Sequence, residues 1–533
     1  MLTTTDRTNV RTSTSASCLG MLALLAAGGL HAQSPAHDSV ARRAADSIAA
    51  ADVRSRIAVI ADDSMLGRAT PSHGLEETAA WVAREFRSFG LAPGGDNGTY
   101  IQRYAIRLLR MDTTSYVMAM GRGAHGHWRI GREAMLEYGR PPARPVTGPI
   151  VLVAGVPADT ARPFGDVPLA GAIVVQVARA PTLNEAILPV IGKAAALGAK
   201  AWLLVTDLPA RMFALMAANS LKAQYEIGGP APDALPISIY LVSGSAAMDV
   251  LRAAGEDVAA LLDSAAVPGV RALPGFTATV DVRRTVVSDA SAPNTIGVLE
   301  GSDPQLSNEY VFFTGHMDHL GVPSSGEGCA PAGGDTICNG ADDDASGTVG
   351  VVELAQAFTR LDPRPRRSLV FMTVSGEERG LWGSGYYVTH PEFPLDSTVA
   401  DLNTDMIGRN PSDGVMAIGK ERSSLGPLVD SVAARHPELQ LRVLGDTMPQ
   451  ERLFYRSDHF NFAQHGVPIL FFTTGLHPDY HGPTDSVEKI DADQEARILR
   501  LIFYLGLDVA DRTARPEWNP ESRRQIMQGA GAP

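Results

Sequence analysis

The chain has 533 residues, 45% of them hydrophobic and 20% charged, with 46 Lys and Arg against 59 Asp and Glu. At roughly 100–200 residues per domain that is enough for two to four domains with a sizeable core. The ordinary apolar fraction, with 52 Gly and 36 Pro in no fixed period, excludes a disordered or collagen-like chain. A net charge of −13 argues against nucleic-acid binding, which calls for a basic patch or stripe, and against a polybasic membrane-surface protein.

In chain order, Arg7 and Arg11 precede an apolar run from Cys18 to Leu30 that ends in His31-Ala32-Gln33. A positive start, a short apolar stretch and a small residue at its end predict a secretory signal peptide over 1–32, cut near Ala32. The run is too short for a bilayer span of about 20 residues. The mature protein is therefore expected to be secreted or periplasmic, with no stable membrane insertion. In an oxidising compartment Cys329 and Cys338, nine positions apart in a Gly/Pro-rich loop, are expected to form a disulfide rather than remain free thiols.

Residues 41–91 read as helical: Ala79, Val82, Phe86 and Phe89 recur at three- and four-residue steps and Gly90 stops the run. A turn-rich loop over 93–99 leads into a strand over 100–108. Between 135 and 270 short strands (150–153, 172–177, 201–205, 237–241) surround one Ala-rich helix (191–197). No cluster of His, Asp and Glu falls there. From 271 apolar strands (310–313, 368–374, 468–473) alternate with helices (346–361, 493–509), the mark of a mostly parallel α/β sheet. The tail over 512–533 is expected to be a flexible extension.

In this last region acidic residues and histidines gather just after strands: His316-Met-Asp318-His319, Asn339-Gly-Ala-Asp342-Asp343-Asp344-Ala-Ser-Gly347, Gly376-Glu377-Glu378, Asp401-Leu-Asn-Thr-Asp405 and Tyr480-His481. Ligands bind open α/β sheets outside the strands' carboxyl ends, so these clusters are expected to converge. So many carboxylates in one cleft repel each other unless cations neutralise them. His with carboxylate and no thiolate suits zinc or a similar ion, and more than four candidate ligands suggest two ions sharing a carboxylate, about 3.5–4 Å apart in hydrolytic sites. On spacing alone Asp342, Asp343 or Asp344 could be the bridge. Ser346 reads as a helix N-cap rather than a nucleophile, since no GxSxG turn is present. There is no HExxH zinc motif either. His319, His459 and His477 read as structural or rim residues, and Asp458 as either holding a loop or shaping the cleft.

His316-Met-Asp318, Gly340 to Gly347, Gly376-Glu-Glu378, Asn403-Thr-Asp405-Met-Ile-Gly-Arg409, Ser457-Asp-His459 and Tyr480-His481 resemble, in order and approximate spacing, the motifs of the M28 family of di-zinc exopeptidases. The resemblance covers about 40–130 and 276–510, and the stretch between looks like a protease-associated (PA) insert. It implies an α/β fold with a mostly parallel mixed sheet and helices on both faces, interrupted by a small β-rich α/β insert. The expected divisions are a peptidase part over 40–134, the insert over 135–270 and a catalytic part over 271–511. The resemblance further implies two zinc ions: one on His316, Asp343 and Asp405, the other on Asp343, Glu378 and His481, with Asp343 as the bridge. Asp318 is similar to a carboxylate that orients the His316 imidazole, Glu377 to the general base acting on a metal-activated bridging water, and Tyr480 to a phenol that binds the oxyanion. The implied activity is aminopeptidase action on peptides. The alternatives are a carboxypeptidase, with Arg379, Arg409, Arg452 or Arg456 holding a substrate carboxylate, a single-zinc glutaminyl cyclase, or a non-catalytic receptor-like relative. The oligomeric state is not legible.

Overall fold

A computed structural model describes residues 35–155, 157, 159, 161–179, 187–228, 237–262, 269–325, 328–410 and 413–527. The expected signal peptide over 1–32, with Cys18, lies outside the described residues. Among these the strands form two sheets, one of ten strands and one of eight.

The larger sheet runs Arg442–Leu444, Gly414–Ile418, Ile469–Thr473, Thr398–Thr404, Tyr310–His316, Ser368–Val374, Arg284–Leu299, Ile101–Met111 and Gln224–Ile227, with Ala92–Pro93 beside Arg284–Leu299. Its four central strands, from Ile469–Thr473 to Ser368–Val374, are parallel and buried almost throughout. Such continuous apolar runs are what strands covered on both faces require. Neighbouring residues accordingly enter opposite cores. Phe313, Phe371, Leu402 and Phe472 pack against the helices Ala50–Ile60, Gly347–Phe358 and Ala492–Asp511. Phe312, Met372 and Phe471 face Tyr387 and Phe462 of the helices Trp382–Thr389 and His459–Gln464.

The helix His73–Ser88 follows the predicted pattern: the Ser72 hydroxyl caps it by accepting from Leu75 N at 3.1 Å, and Leu75, Ala79, Val82 and Phe86 form its buried stripe. The helix Ala492–Asp511 agrees with the prediction as well, capped by Asp491. Among the described residues no helix is long and apolar enough to cross a membrane. Cys329 and Cys338 are joined by a disulfide.

The eight-stranded sheet runs Ala124–Arg129, Tyr116–Gly121, Gly269–Asp281, Val146–Ala154, Ile173–Ala178, Ala201–Thr206, Ser238–Ser243 and Ala134–Tyr138. It therefore starts earlier and ends later than the 135–270 read from sequence. The hairpin over 116–129 alternates buried and exposed residues, so its composition does not separate it from the strand before it. One piece of this stretch leaves the sheet: Gln224–Ile227 pairs antiparallel with Ile101–Met111 and becomes the edge of the larger sheet.

Two other expectations need correction. The tail is not loose over 513–527: Trp518 Nε1 donates to Gly466 O at 3.0 Å, and the helix Pro520–Met527 buries Ile526. Two apolar anchors among polar residues suffice to dock it, a density too low to show as periodicity. Ser346 does not cap the following helix with its side chain. Its hydroxyl donates to Asp342 O at 2.8 Å and accepts from Ile407 N at 3.0 Å, while Asp344 Oδ1 takes the Gly347 N–H at 2.8 Å.

Candidate metal centre

The parallel strands all end on one side, and the loops beyond them carry the polar clusters. His316 closes Tyr310–His316, Glu377 and Glu378 follow Ser368–Val374, Asp405 follows Thr398–Thr404, and Tyr480 and His481 lie beyond Ile469–Thr473. Asp343 comes from the crossover before the helix Gly347–Phe358. Gly376 turns the chain between strand and Glu377 in left-handed backbone (φ +72°), where a Cβ would lie 2.7 Å from Tyr104 Oη.

His316, Asp343, Glu377, Glu378, Asp405 and Tyr480 line one cleft with a free volume of about 40 Å³. Asp343 stands at its middle, its two oxygens facing opposite ways. Oδ1 is 3.4 Å from His316 Nε2, which is 3.6 Å from Asp405 Oδ1. Oδ2 is 3.3 Å from His481 Nε2, which is 3.2 Å from Glu378 Oε2. Donors sharing one tetrahedral zinc at the usual bond lengths stand about 3.3 Å apart, close to the spacing of these four pairs; the triads whose donor atoms all lie within 4.8 Å of one another are His316, Asp344 and Asp405, and His319, Asp343 and Glu378. The charges agree. Asp343 is held well below the ordinary carboxylate range, because His319, His316 and His481 outweigh the upward push of burial. His481 is pushed up to about 10: burial works against this, but hydrogen bonds to Asp343 and Glu378 prevail. Without ions, the carboxylates draw protons onto the imidazoles, so the cleft demands positive charge. His481 itself has left-handed backbone (φ +56°), as does Met406 beside Asp405 (φ +57°), conformations a side-chain-bearing residue keeps only where its surroundings fix it.

Of the three aspartates, only Asp343 faces both halves. Asp344 accepts from the backbone N–H of His316 (3.1 Å), Gly347 (2.8 Å) and Met406 (3.1 Å), tying three loops together. Asp342 Oδ1 accepts from Gly408 N at 2.7 Å, and its Oδ2 lies 3.2 Å from His477 Nε2. The Asp318 carboxylate is 3.7 Å from His316 Nδ1, whereas its backbone carbonyl is at 3.1 Å. The carboxylate instead accepts from Thr70 Oγ1 at 2.9 Å and Glu377 N at 3.2 Å. Glu377 Oε2 is 3.9 Å from His316 Nε2. Tyr480 stacks on His481 with ring centroids 3.8 Å apart, and its hydroxyl accepts from Arg456 Nη2 at 3.2 Å.

His459 is buried, with Nε2 on Phe454 O at 2.9 Å, as a structural histidine should be. Asp458 holds a helix in place by accepting from Ser384 Oγ at 2.5 Å. His319 is not at the rim: it is fully buried, with Nδ1 2.7 Å from Glu378 Oε1.

Three supports escaped sequence reasoning. Thr70 links Asp318 to Gly376 N. Asp485 Oδ2 accepts from the N–H groups of Asp342 and Asp343. Arg68, wholly buried, donates to Met317 O, Ile60 O, Asn339 O and Gly340 O at 2.6–2.9 Å. It thereby clamps the His316 loop to the Asp343 loop. Nothing local marks Arg68 for this, since its partners lie up to 272 residues away. Arg68→Met leaves these carbonyls unpaired and is expected to destabilise the fold by about 3 kcal/mol or more, read as a lowered midpoint of thermal or urea unfolding.

Residues 294–506 match the model of peptidase family M28. Among curated relatives, a probable zinc metalloprotease of Pyrenophora teres f. teres is 32% identical over 287 residues, 45% of this chain and 57% of that protein. Leupeptin-inactivating enzyme 1 of Streptomyces exfoliatus is 29% identical over 196 residues, 37% of this chain and 38% of that enzyme. The chain thus spans about half the length or less of these relatives. The solved structure of an aminopeptidase from Aneurinibacillus sp. strain AM-1 superposes with a TM-score of 0.50 at 18% identity, covering 89% of this chain and 97% of that one, a likeness of fold. Residues 294–506 thus match peptidase family M28, in a chain whose fold is similar to that of this solved aminopeptidase.

Proposed function

We propose that this chain is an exported zinc-dependent exopeptidase, an aminopeptidase that removes N-terminal residues from peptides. The observation that carries the proposal is the Asp343 carboxylate, with one oxygen toward His316 and Asp405 and the other toward His481 and Glu378. One zinc would be held by His316, Asp343 and Asp405, a second by Asp343, Glu378 and His481. When bound, the ions supply Lewis-acid activation of water and of the scissile carbonyl. The chain's own residues do the rest. Glu377, beside the ligand Glu378, takes a proton from the attacking water and returns it to the departing amine. Tyr480, whose oxygen accepts from Arg456, keeps its hydroxyl proton to donate to the oxyanion. Surplus carboxylates attract the substrate ammonium, and Met406, Leu453, Phe471 and Leu476 give the cleft an apolar wall that favours a hydrophobic N-terminal side chain. The eight-stranded sheet is taken as the PA-like insert.

Exhaustive chelation is expected to abolish hydrolysis of aminoacyl substrates, and zinc to restore it; undiminished turnover in the metal-free protein sinks the proposal. A parallel panel of N-blocked and C-blocked peptides separates the alternatives. Arg456 is a cation in the cleft wall, so cleavage of N-blocked peptides alone means a carboxypeptidase. One firmly bound ion with cyclisation of N-terminal Gln means a glutaminyl cyclase, and no turnover with two ions bound means a receptor-like relative.

The loop bearing His481 is braced at Asp479, which accepts from Thr484 (2.6 Å), Lys489 (2.7 Å) and Arg409 (2.8 Å). These partners, Lys489 foremost, hold its carboxyl well below the ordinary range. Because the brace lies near the surface, Asp479→Asn is expected to weaken zinc binding at most about fivefold, as measured by competition with a chromogenic chelator.

A further inference from the structure

Resting on the zinc-exopeptidase reading above, the geometry points to His319 as a positioning residue for the second ion, fixing Glu378 so that only one of its oxygens is offered. Glu378 is divided between two imidazoles: Oε2 lies 3.2 Å from His481 Nε2, and Oε1 lies 2.7 Å from His319 Nδ1. The two distances mean different things. Ligands of one zinc stand about 3.3 Å apart, which suits the first; the second is the length of a charge-assisted hydrogen bond. An ionised carboxylate only accepts, so Nδ1 carries the proton and donates it. His319 Nδ1 is also 3.7 Å from Asp343 Oδ2, outside hydrogen-bond reach, which leaves that oxygen to the ion.

The imidazole is held rigidly. It is fully buried, its backbone N–H donates to the carbonyl of Arg68 at 3.3 Å, and its ring lies so close to Gly340 that a Cβ there would come within 2.6 Å of it. A carboxylate with both oxygens free can rotate or chelate through both. Glu378, held through Oε1, presents a single oxygen in a fixed direction. Groups that orient ligands in this way contribute 10–100-fold to metal affinity.

The test is zinc loading of the full chain, measured by competition with a chromogenic chelator and by elemental analysis, for the wild type, His319→Ala and His319→Asn. Asn can place an amide N–H near the position of Nδ1. In His319→Ala the first equivalent is expected to bind as in the wild type and the second 10–100-fold more weakly, while His319→Asn recovers most of that loss. The inference is overturned if the second equivalent is unaffected in His319→Ala, if both equivalents weaken alike, or if Asn fails to recover what Ala loses. It is also overturned if the cobalt-substituted His319→Ala spectrum shows one nitrogen ligand fewer, since His319 is then a ligand. A wild type that binds no zinc fails the parent reading instead, so the two failures are distinct.

Discussion

Glu377→Gln is expected to lower kcat by 10²–10⁴-fold, the usual contribution of a positioned general base, while zinc content and unfolding midpoint stay near those of the wild type. Glutamine has the size and planarity of glutamate and preserves packing, but it cannot take up a proton. Burial pushes the Glu377 carboxyl well above its ordinary range; His316 pulls it down, and the carboxylates of Glu378 and Asp405 push it up again. Its backbone is pinned by the N–H donated to Asp318 Oδ1 at 3.2 Å. Steady-state kinetics on an aminoacyl substrate, with elemental analysis of the same sample, decide the matter. Turnover within tenfold of the wild type would remove Glu377 as the base.

Asp343→Ala is expected to bring activity below detection and to take metal content from about two ions per chain to one or fewer. This carboxylate is the only one whose oxygens approach both histidine groups within 3.4 Å among the described residues. Its loss also removes the one negative charge that lies within 3.4 Å of both the His316 and the His481 imidazole among the described residues. Asp405→Ala or His481→Ala touches one half only and should leave the other ion in place. Elemental analysis after desalting compares the three. Two ions retained by Asp343→Ala would mean that the bridge lies elsewhere.

The six residues named from sequence as ligands or base share one cleft in the structure. Sequence can point to this grouping because most of these residues stand at or just beyond the end of a strongly apolar strand, and parallel strands deliver their following loops to the same edge. Asp343 could not be separated from Asp342 and Asp344 by spacing, because the distinction lies in which backbone N–H groups each carboxylate collects. The sequence leaves His319 as either a structural or a rim residue, because burial is not a property of a four-residue motif. Arg68 and Thr70 were out of reach altogether: they act across about 250 residues of chain on carbonyls and a carboxylate. The pairing of the hairpin over 116–129 with the eight-stranded sheet is not legible, because its pattern is that of any half-buried strand pair.

The short strand Gln224–Ile227 makes the two sheets interdependent. It hydrogen-bonds along Ile101–Met111, and the Arg379 guanidinium, two positions past Glu377, rests over the Tyr225 ring with 5.6 Å from Cζ to the centroid. A shortened chain with everything between 112 and 283 replaced by a short linker would therefore lose this rim strand, baring a row of amide and carbonyl groups of the kind through which proteins stick to their own copies. Swapping such modules between relatives would have to carry the strand along, so the natural unit of exchange is longer than the globule that meets the eye.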